Sequence, residues 1–388
     1  MGKTPELRAR WHSRAVSFLL LAVELLQALF LKVAALFYDR QAREAKVARL
    51  SRRLALLEGP AGGSAALLGG RAPPVTRKVK IIANPISGRG MALKAIPHLQ
   101  RGFRELGFDV EVIVTERAGQ ARQSCWALES NVAAVVSIGG DGTLNEVVNG
   151  VGDQGVPIAV YATGTANCIA KEFAIPRHPE LFCRMVAEGR TVALDVAEHV
   201  GHRRFHSFAG VGFDAKVVEI LSRDRKGAIA MRTYAGPIAR AMRDYDWPAI
   251  RVEVDGEEIA THAGLVIVSN IKGYAVMELA EAADSADGLL DVSIFQTRTW
   301  LAMARYALGA FTRTHTKDRD VIYVQGRRVR ISADRPNVPI QIDGDSAGVL
   351  PAELRVLEGA VKFFVPAAWR PTRKSAERAT AAPAIAGG

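Results

Sequence analysis

The sequence predicts an α/β domain on a parallel sheet followed by an antiparallel, β-sandwich-like domain, with a hydrophobic helix ahead of both. Three observations carry this. Strand-like and helix-like runs alternate across 77–195, the order of a parallel sheet covered by helices. After Asp195 short strand-like runs dominate instead. Before either comes an apolar run at 17–37 between basic flanks. The chain has 388 residues, 49% of them hydrophobic, which is enough for a sizeable core and for two domains rather than one.

The run at 17–37 is long enough to span a bilayer. It contains Glu24, Gln27 and Lys32, and Ser17, Glu24 and Gln27 fall on one helical stripe, as in a helix lying in an interface. Both flanks are basic, with Lys3, Arg8, Arg10 and Arg14 before the run and Arg40, Arg43, Lys46, Arg49, Arg52 and Arg53 after it. One crossing cannot keep both flanks on the cytoplasmic side. A monotopic or re-entrant helix is therefore the leading reading, with a spanning anchor and a helix packed on protein as the others. No small-residue cleavage site follows, so a signal peptide is not expected.

Residues 1–58 thus form a basic, membrane-associating helical segment, and the Gly-, Ala- and Pro-rich stretch 59–76 a linker. Residues 77–195 form the α/β domain, 196–366 the β-rich domain with its last strand free to return to the first, and 367–388 a disordered basic tail. Residues 1–80 carry 15 Lys/Arg against 5 Asp/Glu, whereas 81–365 is close to neutral although the whole chain is +11. Basic ends on a neutral body argue against a nucleic-acid-binding core and fit ends that meet an anionic surface, phospholipid first and nucleic acid as the lesser alternative. Cys125, Cys168 and Cys183 show no pairing or metal spacing, which fits a reducing compartment. The expected location is cytoplasmic, peripheral or monotopic on the inner face of the membrane.

Within the body, 79–83, 110–115 and 132–138 read as strands, and 93–106 and 118–129 as helices. Strand-like runs follow at 250–254, 263–268, 289–295, 321–324, 328–331, 339–342 and 361–365, with helices at 214–222 and 228–244.

Three strand-to-loop junctions are glycine-rich: 83–90 (ANPISGRG), 138–143 (IGGDGT) and 163–167 (TGTAN). In a parallel sheet, ligands sit at the carboxyl ends of the strands. Glycine there lets backbone N–H groups approach phosphates. Asp141, set between glycines, suits a magnesium ion bridging phosphates or a nearby proton transfer. Any one of these loops alone reads as a turn in which Gly and Asn supply positive φ. Three in order after three strands point to a phosphate site.

Asn84-Pro85-x-Ser87-Gly88, then Gly139-Gly140-Asp141-Gly142-Thr143, then Gly164-Thr165-Ala166-Asn167 resembles the signature order of the diacylglycerol-kinase catalytic domain, shared by bacterial lipid kinases and by sphingosine and ceramide kinases. Later stretches, Ala209 to Ala215, Asp287 to Val292 and Ile342-Asp343-Gly344-Asp345, resemble it too, so the likeness covers about 77–366. The resemblance implies an ATP- and magnesium-dependent transfer of the γ-phosphate to the hydroxyl of a membrane lipid, either diacylglycerol or a sphingoid- or ceramide-like alcohol. It implies nucleotide contacts from Asn84, Ser87, Gly139, Gly140, Gly142, Thr143, Gly164, Thr165 and Asn167. It makes Asp343 the catalytic base, Asp345 its support and Asp141 a further catalytic carboxylate. Asp284, Asp287 and Leu289 match positions that hold a structural magnesium in bacterial members. A homodimer is allowed. The sequence departs from the pattern at Ala162 and across 271–279, the region expected near the acceptor, which leaves the lipid unidentified. A soluble kinase of the NAD-kinase type and a non-catalytic lipid or nucleotide sensor are the alternatives.

Overall fold

A computed structural model describes residues 77–224, 235–274, 277–296 and 298–369. The hydrophobic run 17–37, the linker 59–76 and most of the tail lie outside these residues. Among the described residues no helix is long and apolar enough to cross a membrane.

The first part runs β1 (Lys78–Ala83), α1 (Met91–Glu105), β2 (Asp109–Val114), α2 (Gln120–Gln123), β3 (Val132–Gly139), α3 (Asp141–Val151), β4 (Ile158–Ala162), α4 (Cys168–Glu172) and α5 (Pro179–Ala187). The strands lie in the order β2-β1-β3-β4, all parallel. β3 reads VAAVVSIG and is buried along nearly its whole length, as a central parallel strand covered on both faces must be. α1 buries Ala92, Ala95, Leu99 and Phe103, spaced three and four apart, against that sheet. α2 is only four residues long, not the helix expected over 118–129. The Gln154 side chain bonds the Cys125 carbonyl at 2.7 Å, and the Leu128 N–H donates to it at 2.9 Å, so the backbone is satisfied without further helical turns.

The second part runs β5 (Thr191–His199), β6 (Arg203–Phe205), β7 (Phe208–Gly212), α6 (Phe213–Asp224), α7 (Ala235–Asp244), β8 (Ile250–Val254), β9 (Glu257–Ala263), β10 (Leu265–Ser269), the short pair β11 (Gly273–Tyr274) and β12 (Met277–Glu278), β13 (Leu290–Phe295), α8 (Trp300–Thr312), β14 (Val321–Gly326), β15 (Arg328–Ala333), β16 (Pro339–Ile342), β17 (Asp345–Val349) and β18 (Ala352–Phe364). An antiparallel sheet, β14-β13-β10-β7-β16-β17, packs on the far end of the first sheet. Along β10, Val266 and Val268 point into the layer between the sheets and Ile267 into the core under the helices, a period of two. Helix α8 was not legible in the sequence, because its apolar residues occupy more than one side and blur the periodicity.

The sequence divides at Asp195, but the structure does not separate the two parts there. β5 runs through that point, and β18 joins both parts in one mixed ten-stranded sheet. β18 pairs antiparallel with β15 and β5, and at Phe363↔Ile158 parallel with β4. Its Leu354 lies in the sandwich core, whereas Val361 and Phe363 lie in the first. Asp195 is 1% exposed and accepts from the Gly359 N–H at 2.7 Å, where β18 bulges, and from the Gly288 N–H at 2.6 Å. The strand expected at 361–365 is thus the end of a much longer one. The expected tail also begins later, since Trp369 packs edge-on against Phe173 at 5.4 Å and the Ala367 carbonyl accepts from Arg190 at 2.7 Å. Phe363→Ala is expected to cost about 3–5 kcal/mol and to lower the stability of both parts in one unfolding transition. Two separate denaturant midpoints with only one displaced would contradict the shared strand.

Candidate active site

β1, β3 and β4 are adjacent and parallel, so the three glycine-rich loops leave the sheet on the same edge. Hydrogen bonds stitch them together. The Asn84 N–H donates to the Ile138 carbonyl at 3.0 Å, and the Thr163 N–H donates to the Gly139 carbonyl at 2.9 Å. Asn84 Nδ2 donates to Thr143 Oγ1 at 3.2 Å, and Thr163 Oγ1 to the buried Ser87 hydroxyl at 2.9 Å. Thr165 is exposed on its loop, while Asn167 is buried at φ +52° with Nδ2 on the Gly164 carbonyl at 2.7 Å. Asn167 Oδ1 is buried and has no hydrogen-bond partner among the described residues.

The glycines are sterically required at two places. A Cβ on Gly164 would lie 2.5 Å from Gly140 Cα, and one on Gly139 would lie 2.4 Å from Thr143 Oγ1. The backbones of the second and third loops therefore touch, which leaves a shallow cradle of main chain. Gly164→Ala is expected to push these loops apart and weaken nucleotide use more than tenfold, with a smaller loss in melting temperature. Unchanged nucleotide affinity would contradict the cradle.

Asp141 opens α3, and its carboxylate reaches across to the next loop. Oδ2 accepts from the Asn167 N–H at 2.8 Å and Oδ1 from the Cys168 N–H at 2.7 Å. It caps α4 and locks the second loop to the third.

Ile342 and Asp345 pair across the hairpin between β16 and β17, so Asp343-Gly344 is its two-residue turn, with both residues at positive φ (49° and 85°) as a type I′ turn requires. Asp343 is 8% exposed. Oδ1 accepts from the Ser207 and Phe208 N–H groups at 3.0 and 3.1 Å. Oδ2 accepts from Asn145 Nδ2 at 2.8 Å and from the His206 N–H at 3.2 Å. Four donors fill the four lone-pair positions of a carboxylate. Through these four donors Asp343 anchors the hairpin to α3 and to the start of β7.

Asp345 is the half-buried carboxylate of this hairpin, with Oδ2 3.6 Å from where a Cβ on Gly142 would stand. Arg203 holds the hairpin from the other side, its guanidinium donating to the Ile342 and Asp345 carbonyls at 3.3 and 3.5 Å. Sequence reading missed Arg203, and also Asn145, Asn149 and His206. Asn145 and Asn149 left a signal, since Asp141, Asn145 and Asn149 recur every fourth residue and so line one face of α3. Both asparagines bond the Arg204 carbonyl, at 3.0 and 2.9 Å, and Asn149 Oδ1 accepts from the Arg204 N–H at 2.9 Å. His206 is buried with Nδ1 2.7 Å from Ser207 Oγ, and nothing in the sequence marks it.

Asp284, Asp287 and Leu289 share one turn. The Ala286 N–H bonds Asp284 Oδ1 at 3.2 Å, and the Leu289 N–H bonds Asp287 Oδ1 at 3.0 Å. Their oxygens are of the type a hard cation takes. Yet among the described residues no three His, Cys, Asp or Glu side chains gather as a metal cluster. Nearby, burial first and the Asp291 carboxylate second push the Tyr323 phenol up, and Tyr323 donates to Asp291. None of the three cysteines is in a disulfide and all are buried, and desolvation pushes Cys125 and Cys183 up to about 12, which suits neither thiolate ligation nor nucleophilic work.

Residues 78–199 match the diacylglycerol kinase catalytic domain, and residues 207–365 match the YegS C-terminal NAD kinase beta sandwich-like domain. The chain belongs to the diacylglycerol kinase catalytic-domain family. A diacylglycerol kinase of Mycobacterium tuberculosis is 29% identical over 297 residues, 74% of this chain and 95% of the relative. One of Bacillus subtilis is 27% identical over 301 residues, 75% of this chain and 97% of the relative. The crystal structure of a diacylglycerol kinase from Bacillus anthracis shares the fold with a TM-score of 0.60 at 21% identity, covering 75% of this chain and 98% of that one. All three glycine loops and the Asp343–Asp345 hairpin fall inside the two family domains.

Proposed function

We propose that this chain is an ATP-dependent lipid kinase that transfers the γ-phosphate to the hydroxyl of diacylglycerol or of a sphingoid- or ceramide-like alcohol. The observation that carries the reading is that a main-chain cradle from three glycine loops faces a hairpin carboxylate, Asp345. The residues fit a nucleotide: glycine loops whose backbones pack without side chains between them, and backbone N–H groups at the start of α3. Magnesium accompanying ATP supplies neutralisation of the phosphate charge. Asn84, Ser87, Thr143 and Thr163 keep the loops in register through their mutual hydrogen bonds. Asp141 fixes the second loop against the third. Asp345 accepts the proton of the lipid hydroxyl as it attacks, and Asp343, Asn145 and Arg203 hold Asp345 in place. Asp284, Asp287 and Leu289 would hold a structural magnesium through their oxygens.

An assay with radiolabelled ATP and a panel of diacylglycerol, sphingosine, ceramide and NAD tests this directly. Label in a lipid is expected. Label in NAD alone would make the chain a soluble kinase of a small acceptor. ATP binding without transfer to any acceptor would make it a sensor.

A further inference from the structure

Helix α8 carries apolar residues on both of its sides. Ala302, Tyr306 and Ala310 are buried in the first core, with Tyr306 5.0 Å from Phe295. On the outer side Leu301 is 83% exposed and Leu308 51% exposed. They are seven positions apart and so lie on one stripe of the helix. Among the described residues Leu301 is the most exposed large hydrophobic. Single exposed leucines are ordinary. A stripe of them on a helix whose other side already fills the core is not.

The charge around this stripe is net positive. Arg298 precedes the helix and Arg313, Lys317 and Arg319 follow it, all exposed. Arg305 lies along the helix, paired with Asp318 at 2.8 Å and with Asp320. Residues 298–320 hold five Lys/Arg against two Asp, in a body otherwise slightly acidic. An apolar stripe rimmed by cations complements an anionic phospholipid surface, with leucines at the acyl boundary and arginines among the headgroups. The stripe is also tied to the site. α8 abuts β12, the other half of that ribbon, β11, abuts α4, and Asp141 caps α4.

We propose that the outer stripe of α8 and its basic rim are the surface on which the protein seats on an anionic bilayer. The inference rests on the lipid-acceptor reading above, but its test does not require turnover. Leu301→Cys and Leu308→Cys, each labelled with an environment-sensitive fluorophore in the full-length chain, are mixed with phosphatidylglycerol/phosphatidylcholine vesicles. Leu181→Cys on α5, also exposed, is the control. A blue shift at 301 and 308 but not at 181 is expected, reduced by salt. Because the probe is local, binding through residues 17–37 does not mimic it. Vesicle-bound protein without a shift at 301 overturns the proposal. So does a shift at all three sites, a failure to bind vesicles at all, or a concentration-dependent shift without lipid, which would assign the stripe to a second copy. Leu301→Glu/Leu308→Glu should raise the vesicle concentration needed for half-maximal activity about tenfold or more. Its turnover of a dispersed short-chain diacylglycerol should be unchanged. Loss of activity on the dispersed lipid by the parent as well would count against the kinase reading, not against docking.

Discussion

Asp345→Asn is expected to leave the melting temperature near that of the parent and to lower turnover about 10²–10⁴-fold, the usual contribution of a general base. The substitution keeps the shape of a half-buried side chain and removes its ability to take a proton. Its carboxylate lies against Gly142 in the middle of the second glycine loop, where the γ-phosphate would meet the acceptor. ATP affinity should change little, because the cradle belongs to other strands. Initial rates on a lipid substrate, together with a nucleotide-binding isotherm, check both halves of the statement. Turnover within a few-fold of the parent would remove Asp345 from the proton path.

Asp343→Asn should behave in the opposite way, as a folding defect first. An asparagine offers one oxygen where the structure has two, and turns an amide toward the donors Asn145 Nδ2 and the His206 N–H. Losing two buried charge-assisted hydrogen bonds is worth about 2–5 kcal/mol. That is a large share of the roughly 5–15 kcal/mol that holds a typical domain. Urea unfolding should show a lower midpoint, and activity should fall because the hairpin holding Asp345 loses its anchor. A variant with parental stability and a large turnover defect would restore Asp343 as the base.

The contrast between these two aspartates shows what the sequence could and could not say. The glycine loops were legible because each lies directly after an apolar strand, and parallel order alone brings such loops to one edge. The hairpin Ile342-Asp343-Gly344-Asp345 was legible as a site. The division of labour inside it was not, because it depends on donors at 145 and at 206–208, far away along the chain. Position in a motif says that a carboxylate matters; only its neighbours say whether its lone pairs are spent. The ties across Asp195 were illegible for a similar reason. A change of local pattern was real there, but the buried Asp195 side chain ties that point to Gly288 and Gly359, contacts that no window of sequence contains. The departures at 271–279 contain the β11–β12 ribbon, a pairing too short for any periodic pattern to announce.

The strand β18 has a consequence for the way the chain is made. β4 is complete at Ala162, but its neighbour β18 runs to Phe364, about two hundred residues later. At a synthesis rate of roughly 5–20 residues per second, the edge of β4 waits on the order of 10–40 s for its partner. During that interval a nearly all-buried strand, IAVYA, presents an open edge of the kind that recruits other chains. Nascent chains halted before residue 352 should therefore be protease-sensitive around 158–199 and prone to associate, and those halted beyond Val365 should be protected. Equal protection at both lengths would mean that the first part closes without its borrowed strand.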